Sequence, residues 1–253
     1  MRSGPPLLLA SLSLSASLAL VSCGSTPTEP GPPPGAYRVL FVGNSLTYTN
    51  DLPAMVEAIA LANGDTFYTK TLAFPDWGLQ DHWEQGSAPD EITKEVWDVV
   101  VMQQGPSSLD ASRLDLLLWS GKFGDLAAIH HSCAAMYEVW PPKNSLNSMP
   151  AVRDHYAEAA DSIGGLFLPA GDAWINAWAK DPGFALYGPD DFHPSPLGTY
   201  IAALAVYSGL TGRSPVGNTA TVPGVSLDAQ TRNEVQLAVW EAAYGLPRRC
   251  GGS

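Results

Sequence analysis

Short apolar segments alternate along this chain with longer segments of helical periodicity. Residues 37–42 (YRVLFV) and 97–102 (WDVVVM) are almost wholly apolar, which is typical of strands buried on both faces of a sheet. Strands that alternate with helices favour a parallel sheet, because a helix must return the chain from one parallel strand to the next. We therefore predict one α/β domain, a three-layer α/β/α sandwich, with strands at 37–42, 66–72, 97–102, 134–140 and 166–169 and helices at 52–62, 90–96, 109–130, 151–163, 195–209 and 226–244.

The amino-terminal segment is predicted to lie outside this domain. Arg2 precedes an apolar run at 7–21, which is too short and too rich in small residues for a comfortable membrane span and stops just before Cys23. Such a run followed by small residues and Cys resembles the bacterial lipoprotein processing site, with an ordinary secretory signal as the alternative. We expect an exported lipoprotein, anchored to a membrane through Cys23 in the periplasm or at the cell surface. The predicted organisation is a signal peptide at 1–22, a Pro/Gly-rich tether at 23–36 and the folded domain at 37–253.

Charge and composition limit the partners of the chain. Lys and Arg number 13 against 25 Asp and Glu, so the net charge is -12 and nucleic acid is not an expected partner. The lipid anchor is the only membrane contact expected, and the sequence does not indicate the oligomeric state. No dinucleotide or triphosphate loop and no metal-ligand spacing occurs, so no cofactor and no metal is expected. Export permits a disulfide between Cys133 and Cys250, and a buried free thiol at Cys133 is an equally good interpretation.

Two polar segments occupy positions where a parallel sheet binds ligands. Ser45 follows the first predicted strand, and the carboxyl ends of parallel strands are the usual ligand-binding edge of such a sheet. Asp190 precedes His193 by three residues, a spacing that lets the carboxylate reach Nδ1 of the imidazole and leaves Nε2 free to take a proton from a serine. Each segment alone has a structural interpretation, since Ser45 or Thr47 could cap a helix and an Asp-x-x-His pair is usually structural.

Together, the segments VLFVGNSLT and DDFHPS resemble the first and last conserved blocks of the SGNH hydrolases, also called the GDSL esterase family. The resemblance covers most of residues 38–212 and implies a flavodoxin-like parallel sheet of about five strands. It also implies a catalytic triad of Ser45, His193 and Asp190. Asp191 stands where the family usually has a small residue, and it is a competing partner for His193 with a poorer spacing.

The resemblance further implies an oxyanion hole. Its donors would be the amide of Ser45, the amide of Gly78 in the segment FPDWGL, and a side-chain amide after the third strand. The family usually has Gly-x-Asn-Asp at that last place, whereas this chain has Gln103-Gln104-Gly105, as some acetylesterase branches have Gln-Gly. The resemblance therefore assigns the role of side-chain amide donor to Gln104, with Gln103 as the alternative.

The function implied is an exported serine esterase that hydrolyses a small-acyl, acetyl-type ester, with a carbohydrate as the suggested alcohol. The alternative is a surface-tethered glycan-binding protein on the same fold with little or no turnover, and acyl transfer to another alcohol would use the same residues. Trp77, Trp83 and Trp140 are predicted near strand-end loops, where an indole could stack on a sugar ring, although core packing is commoner for any single Trp. His82 follows the FPDWGL segment and could line the pocket, but a solvent-exposed loop is the favoured interpretation.

Overall fold

The structure, a computed structural model, describes residues 31–247 together with Met1 and Gly4. Cys23, Cys250 and all but two residues of the predicted signal peptide lie outside the described residues. The chain divides into two units, Met1–Gly31 and Pro32–Ser253, and the elements described below belong to the second. No helix within the described residues has the length and apolarity needed to cross a lipid bilayer.

Five parallel strands form one sheet in the order β2-β1-β3-β4-β5. This is the flavodoxin-like order, in which ligands bind where the winding reverses between β1 and β3. The register aligns Val39 of β1 with Val99 of β3, and Val99 in turn with Cys133 of β4. The predicted sheet is thereby confirmed. The strands are β1 (Tyr37–Gly43), β2 (Phe67–Ala73), β3 (Val99–Met102), β4 (Cys133–Tyr137) and β5 (Leu166–Leu168).

Helices cover both faces of the sheet, as predicted. One group consists of α2 and α8, with α7 and α9 packed against α8, and the other consists of α3, α4, α5 and α6. Short 3-10 turns occupy 49–51 and 143–148. The helices are α1 (Ser45–Tyr48), α2 (Leu52–Ala62), α3 (Leu79–Gln85), α4 (Ser87–Lys94), α5 (Asp110–Ile129), α6 (Met149–Ser162), α7 (Ala170–Lys180), α8 (Pro196–Thr211) and α9 (Ala229–Ala243).

Three of these helices, α1, α3 and α7, were not expected from the sequence. The helix α1 is a single turn, too short to show a period. The helix α7 does carry a signal, because Ala170, Trp174 and Ala177 recur at helical spacing and are all buried. The helix α8 is apolar on every side and buried along most of its length, as a helix at the centre of a packed layer must be.

Candidate active site

A pocket of about 330 Å³ opens at the carboxyl edge of the sheet. Its lining includes Ser45 after β1, Gly78 after β2 and Gln104 after β3. These three residues were predicted from separate segments to act together, and the fold brings them to one cavity. Phe192, which precedes His193, lines the same pocket.

Ser45 begins α1 and is half-buried at the pocket wall. The helix is capped by Asn44, whose Oδ1 accepts a hydrogen bond from the Leu46 amide at 3.1 Å. The Ser45 hydroxyl is therefore not used as the helix cap, and within the described part of the chain it has no hydrogen-bond partner. A side chain on Gly43 would collide with the Thr47 hydroxyl and the Gln103 amide, so the tight turn before Ser45 requires glycine.

Gln103 is a buried bridge between β3 and the Ser45 turn. Its Oε1 accepts hydrogen bonds from the Asn44 amide at 3.0 Å and from the Thr47 hydroxyl at 2.8 Å. Its Nε2 donates to Asn44 Oδ1 at 3.0 Å and to the Gln104 carbonyl. Gln103 is only 1% exposed and both ends of its amide are occupied, which leaves Gln104 as the glutamine that faces the pocket.

The loop that carries Gly78 is tied to the same network. Asn44 Nδ2 donates to the Trp77 carbonyl at 2.9 Å, so one side chain connects the Ser45 turn to the loop after β2. The Gly78 amide donates to the Asp81 carboxylate at 2.8 Å in a capping interaction at the start of α3. The predicted oxyanion donor is thus paired within the protein in this structure.

Gln104 is held on three sides. Its Nε2 donates to the Ser107 hydroxyl at 2.9 Å, and its Oε1 accepts a long hydrogen bond from the Leu79 amide at 3.4 Å. Its backbone is bonded to the Tyr156 hydroxyl of α6. The Nε2 group has a second hydrogen that these contacts do not use, which makes this side chain able to donate toward the pocket.

Asp190 and His193 form the predicted pair. Asp190 Oδ2 and His193 Nδ1 are 2.5 Å apart, while Asp190 Oδ1 accepts the backbone amides of His193 at 2.9 Å and Phe192 at 3.1 Å. The hydrogen bond to His193, and then the Phe192 amide, lower the pKa of Asp190 to about 2. Asp191 instead pairs with Lys143 at 3.0 Å, so the partner of His193 is Asp190.

The His193 loop is fastened to the Ser45 segment. Asn50, just beyond α1, donates through Nδ2 to the Pro194 carbonyl at 3.0 Å and to the Thr199 hydroxyl at 2.9 Å. The Phe192 and His193 rings pack edge to face with centroids 5.2 Å apart. A hydrogen bond between the Ser45 hydroxyl and the His193 ring is not present among the described residues. Catalytic hydrogen bonds are often long before substrate binds.

The expectation for His82 is wrong. His82 is fully buried on α3, where its Nε2 donates to the Gly43 carbonyl at 2.7 Å, and burial lowers the pKa of its imidazole. Trp140 is fully buried and stacks on Trp174 with centroids 3.7 Å apart, which agrees with the core-packing interpretation and makes its indole unavailable to a sugar. Trp83 is half-buried against Phe123. Trp77 does line the pocket.

Two further features concern cysteine and metal. Cys133 is disulfide-bonded, which excludes the free-thiol interpretation; the chain's other cysteines, Cys23 and Cys250, lie outside the described residues. Within residues 31–247, no cluster of three or more His, Cys, Asp or Glu side chains could hold a metal ion.

A further titratable group at this edge is Glu138, which follows β4 and is fully buried. Its Oε2 accepts the Asp172 amide at 3.1 Å. Burial raises the pKa of Glu138 well above its usual range, and the nearby charge of Asp172 adds to the effect. Glu138 does not line the pocket.

Comparison with known proteins identifies the class of fold. No family model and no curated protein matches this sequence. Among solved structures, a DUF4886 family protein from Bacteroides uniformis aligns with a TM-score of 0.70 and 18% identity, over 82% of this chain and 94% of that chain. A protein from Slackia heliotrinireducens proposed to be an SGNH hydrolase aligns with a TM-score of 0.59 and 24% identity, over 69% and 99%.

A catalytic mutant of Axe2, an acetylxylan esterase from Geobacillus stearothermophilus, aligns with a TM-score of 0.54 and 14% identity, over 69% of this chain and 94% of that chain. The flavodoxin-like sheet, the helices on both faces and these likenesses together confirm the predicted fold: the chain folds like the SGNH hydrolases to which it is similar. The likeness is one of fold, and the activity has to be argued from the site.

Proposed function

We propose that this protein is a serine esterase in which Ser45 is the nucleophile, His193 the general base and Asp190 the residue that orients the base. The observation that carries the proposal is convergence: Ser45, Gly78 and Gln104 line one pocket, beside a loop in which Asp190 is hydrogen-bonded to His193. Nucleophile, base and orienting carboxylate are the parts that acyl transfer requires.

The reaction follows from the properties of these groups. The Ser45 oxygen attacks the ester carbonyl carbon while Nε2 of His193 takes the serine proton, which gives a tetrahedral oxyanion and an imidazolium that Asp190 stabilises. The carbon–oxygen bond to the alcohol then breaks, and the imidazolium protonates the leaving oxygen. A water molecule, deprotonated by the same imidazole, then attacks the acyl carbon; the bond to the Ser45 oxygen breaks, the imidazolium returns its proton to that oxygen, and the acid is released.

The oxyanion would be stabilised by donors already near the nucleophile. The Ser45 amide lies at the start of α1, and Nε2 of Gln104 has a hydrogen to spare. The Gly78 amide can contribute only when it exchanges the Asp81 carboxylate for the substrate oxygen. Removing one such donor typically lowers turnover about 100- to 1000-fold.

We further propose that the substrate is a small-acyl ester on a neutral carbohydrate. The pocket is small, about 330 Å³, which suits an acetyl group better than a long chain. Trp77 offers a partly exposed ring for stacking on a sugar. Asp76 and Asp115 also line the pocket. Carboxylates accept hydrogen bonds from sugar hydroxyls and repel anionic substrates.

An ester panel tests this substrate class. We expect kcat/KM for p-nitrophenyl acetate to exceed that for the octanoate by about tenfold or more, because the pocket is small, about 330 Å³. Acetylated xylan should be deacetylated faster than acetylated sialic acid, whose carboxylate faces the acidic pocket wall. A preference for the octanoate would contradict the small-acyl proposal, but it would not contradict the assignment of the catalytic residues.

A glycan-binding protein with little turnover is the second candidate. Two observations favour it: the Ser45 hydroxyl is not hydrogen-bonded to His193 among the described residues, and the Gly78 amide is occupied by Asp81. Hydrolysis of no ester in the panel, with measurable binding of xylan oligosaccharides, would support this candidate over the esterase.

Finally, we propose export and lipid attachment at Cys23, on the strength of the apolar segment and the cysteine that ends it. In cells fed an alkyne-labelled fatty acid, the full chain should carry the label and sediment with membranes, and Cys23→Ala should lose both properties. A Cys23→Ala variant that keeps its label would contradict the assignment.

A further inference from the structure

The loop after β3 is held in an unusual shape. It comprises residues 104–107, referred to here as the Gln104 loop, and it forms one wall of the pocket. Ser107 has a positive φ of 50°, a conformation that residues with a side chain seldom adopt and that persists only where surrounding contacts enforce it. Ser107 is also buried, and its hydroxyl receives the Gln104 side-chain amide.

Two adjacent residues of α6 supply the enforcing contacts. The Tyr156 hydroxyl accepts a hydrogen bond from the Gln104 backbone amide at 3.1 Å. As a donor, the same hydroxyl lies 2.7 Å from the Gln104 carbonyl oxygen and 2.9 Å from the Gly105 carbonyl oxygen. His155 Nδ1 donates to the Ser107 carbonyl at 2.6 Å. Neither residue lines the pocket. Tyr156 is fully buried, and burial raises the pKa of its phenol, so the hydroxyl keeps its proton.

We propose that Tyr156 and His155 are positioning residues that set the direction of the Gln104 amide. The inference rests on the proposed esterase function. Their contacts bracket the loop: Tyr156 binds its first two residues, and His155 binds its last. Between these points the Gln104 side chain reaches Ser107, so a shift of either anchor moves the amide relative to Ser45. A misplacement of about 1 Å in such a donor can lower turnover about 100-fold.

Hydrolysis of p-nitrophenyl acetate by Tyr156→Phe tests the proposal. We expect kcat to fall about 10- to 100-fold with KM changed less than about threefold, since the amide acts on the transition state and not on the bound ester. Tyr207→Phe is the matched control, because Tyr207 is also a fully buried tyrosine whose hydroxyl is hydrogen-bonded, to Asp65 at 2.7 Å before the amino end of β2. This control should lower the melting temperature similarly and leave kcat within about twofold of the wild type.

Replacements of His155 provide a second test of the proposal, which can be made even if Tyr156→Phe fails to fold. His155 is half-buried, and its loss should leave the core intact. His155→Leu removes the donor to Ser107 and should lower kcat about tenfold, whereas His155→Asn supplies a side-chain N–H at a similar distance and should restore most of it. If His155 had a purely structural role, its replacements would change the melting temperature, but kcat would not differ between the Leu and Asn variants.

The outcomes are distinguishable. If the wild type hydrolyses the ester and the folded Tyr156→Phe and His155→Leu variants match its kcat, the positioning role is wrong and the esterase stands. If the folded wild type hydrolyses no ester, the proposed function fails and the positioning role fails with it.

Discussion

The Ser45→Ala variant is expected to lose p-nitrophenyl acetate hydrolysis by at least about 10⁴-fold, to the level of the uncatalysed background. The reason is that the other two hydroxyls among the described residues of the pocket lining, on Ser107 and Ser112, are already hydrogen-bonded, and that of Ser112 is bonded to the Leu109 backbone. Ser107 lines the pocket, but its hydroxyl is held by Gln104 and by the Gly105 carbonyl. The substitution removes one half-buried oxygen that has no hydrogen-bond partner in the described structure, so the fold should be unaffected.

Circular dichroism and the melting temperature of Ser45→Ala should therefore match those of the wild type. Ser162→Ala, which alters an exposed serine at the end of α6, is the control for the substitution itself and should keep activity within about twofold. A folded Ser45→Ala protein that retained a tenth of the wild-type rate would rule out Ser45 as the nucleophile.

The second large effect is expected at Asp190. The two backbone amides on Asp190 Oδ1 require an acceptor there, so in Asp190→Asn the single side-chain oxygen should stay in that place. The new NH₂ group would then face His193 Nδ1, which must become an acceptor, and the ring proton moves to Nε2. His193 can then no longer take the serine proton, and kcat should fall about 10³- to 10⁴-fold.

Asp191→Asn is the matched control, because Asp191 is the neighbouring carboxylate and its partner is Lys143. We expect it to change kcat less than about threefold, since an exposed ion pair contributes little to stability. Equal losses in the two variants would contradict the assignment of Asp190. In the wild type, the hydrogen bond to His193 lowers the pKa of Asp190 to about 2, so this carboxylate stays ionised at any pH well above that value.

The sequence was sufficient to predict the sheet and to identify the segments that meet at its carboxyl edge. Strand β3 and residues 39–42 of β1 are apolar on both faces, and such runs are typical of the centre of a covered sheet. The prediction for α2 matches its observed bounds because Asn63 and Gly64 end the helix. The pairing of Asp190 with His193 followed from a local spacing of three residues, which a tight loop can close without help from the rest of the fold.

The sequence was insufficient where the outcome depends on packing between distant segments. Gln103 is hydrogen-bonded to Thr47 and Asn44, which precede it in the chain by 56 and 59 positions. No local pattern distinguishes the role of Gln103 from that of Gln104. The burial of His82 depends on α3, a helix of seven residues that was not predicted. The capture of the Gly78 amide by Asp81 is local, and the spacing of three residues after a helix start could have indicated it.

Reaction with a fluorophosphonate, followed by peptide mapping, tests the role of Ser45 most directly. Such a probe bonds covalently to a serine only where a neighbouring base activates the oxygen and donors stabilise the phosphoryl group. We expect a stoichiometric adduct on the peptide that contains Ser45, and none in Asp190→Asn over the same time. A wild-type protein that hydrolyses esters yet carries the adduct on another serine, or carries none, would contradict the account.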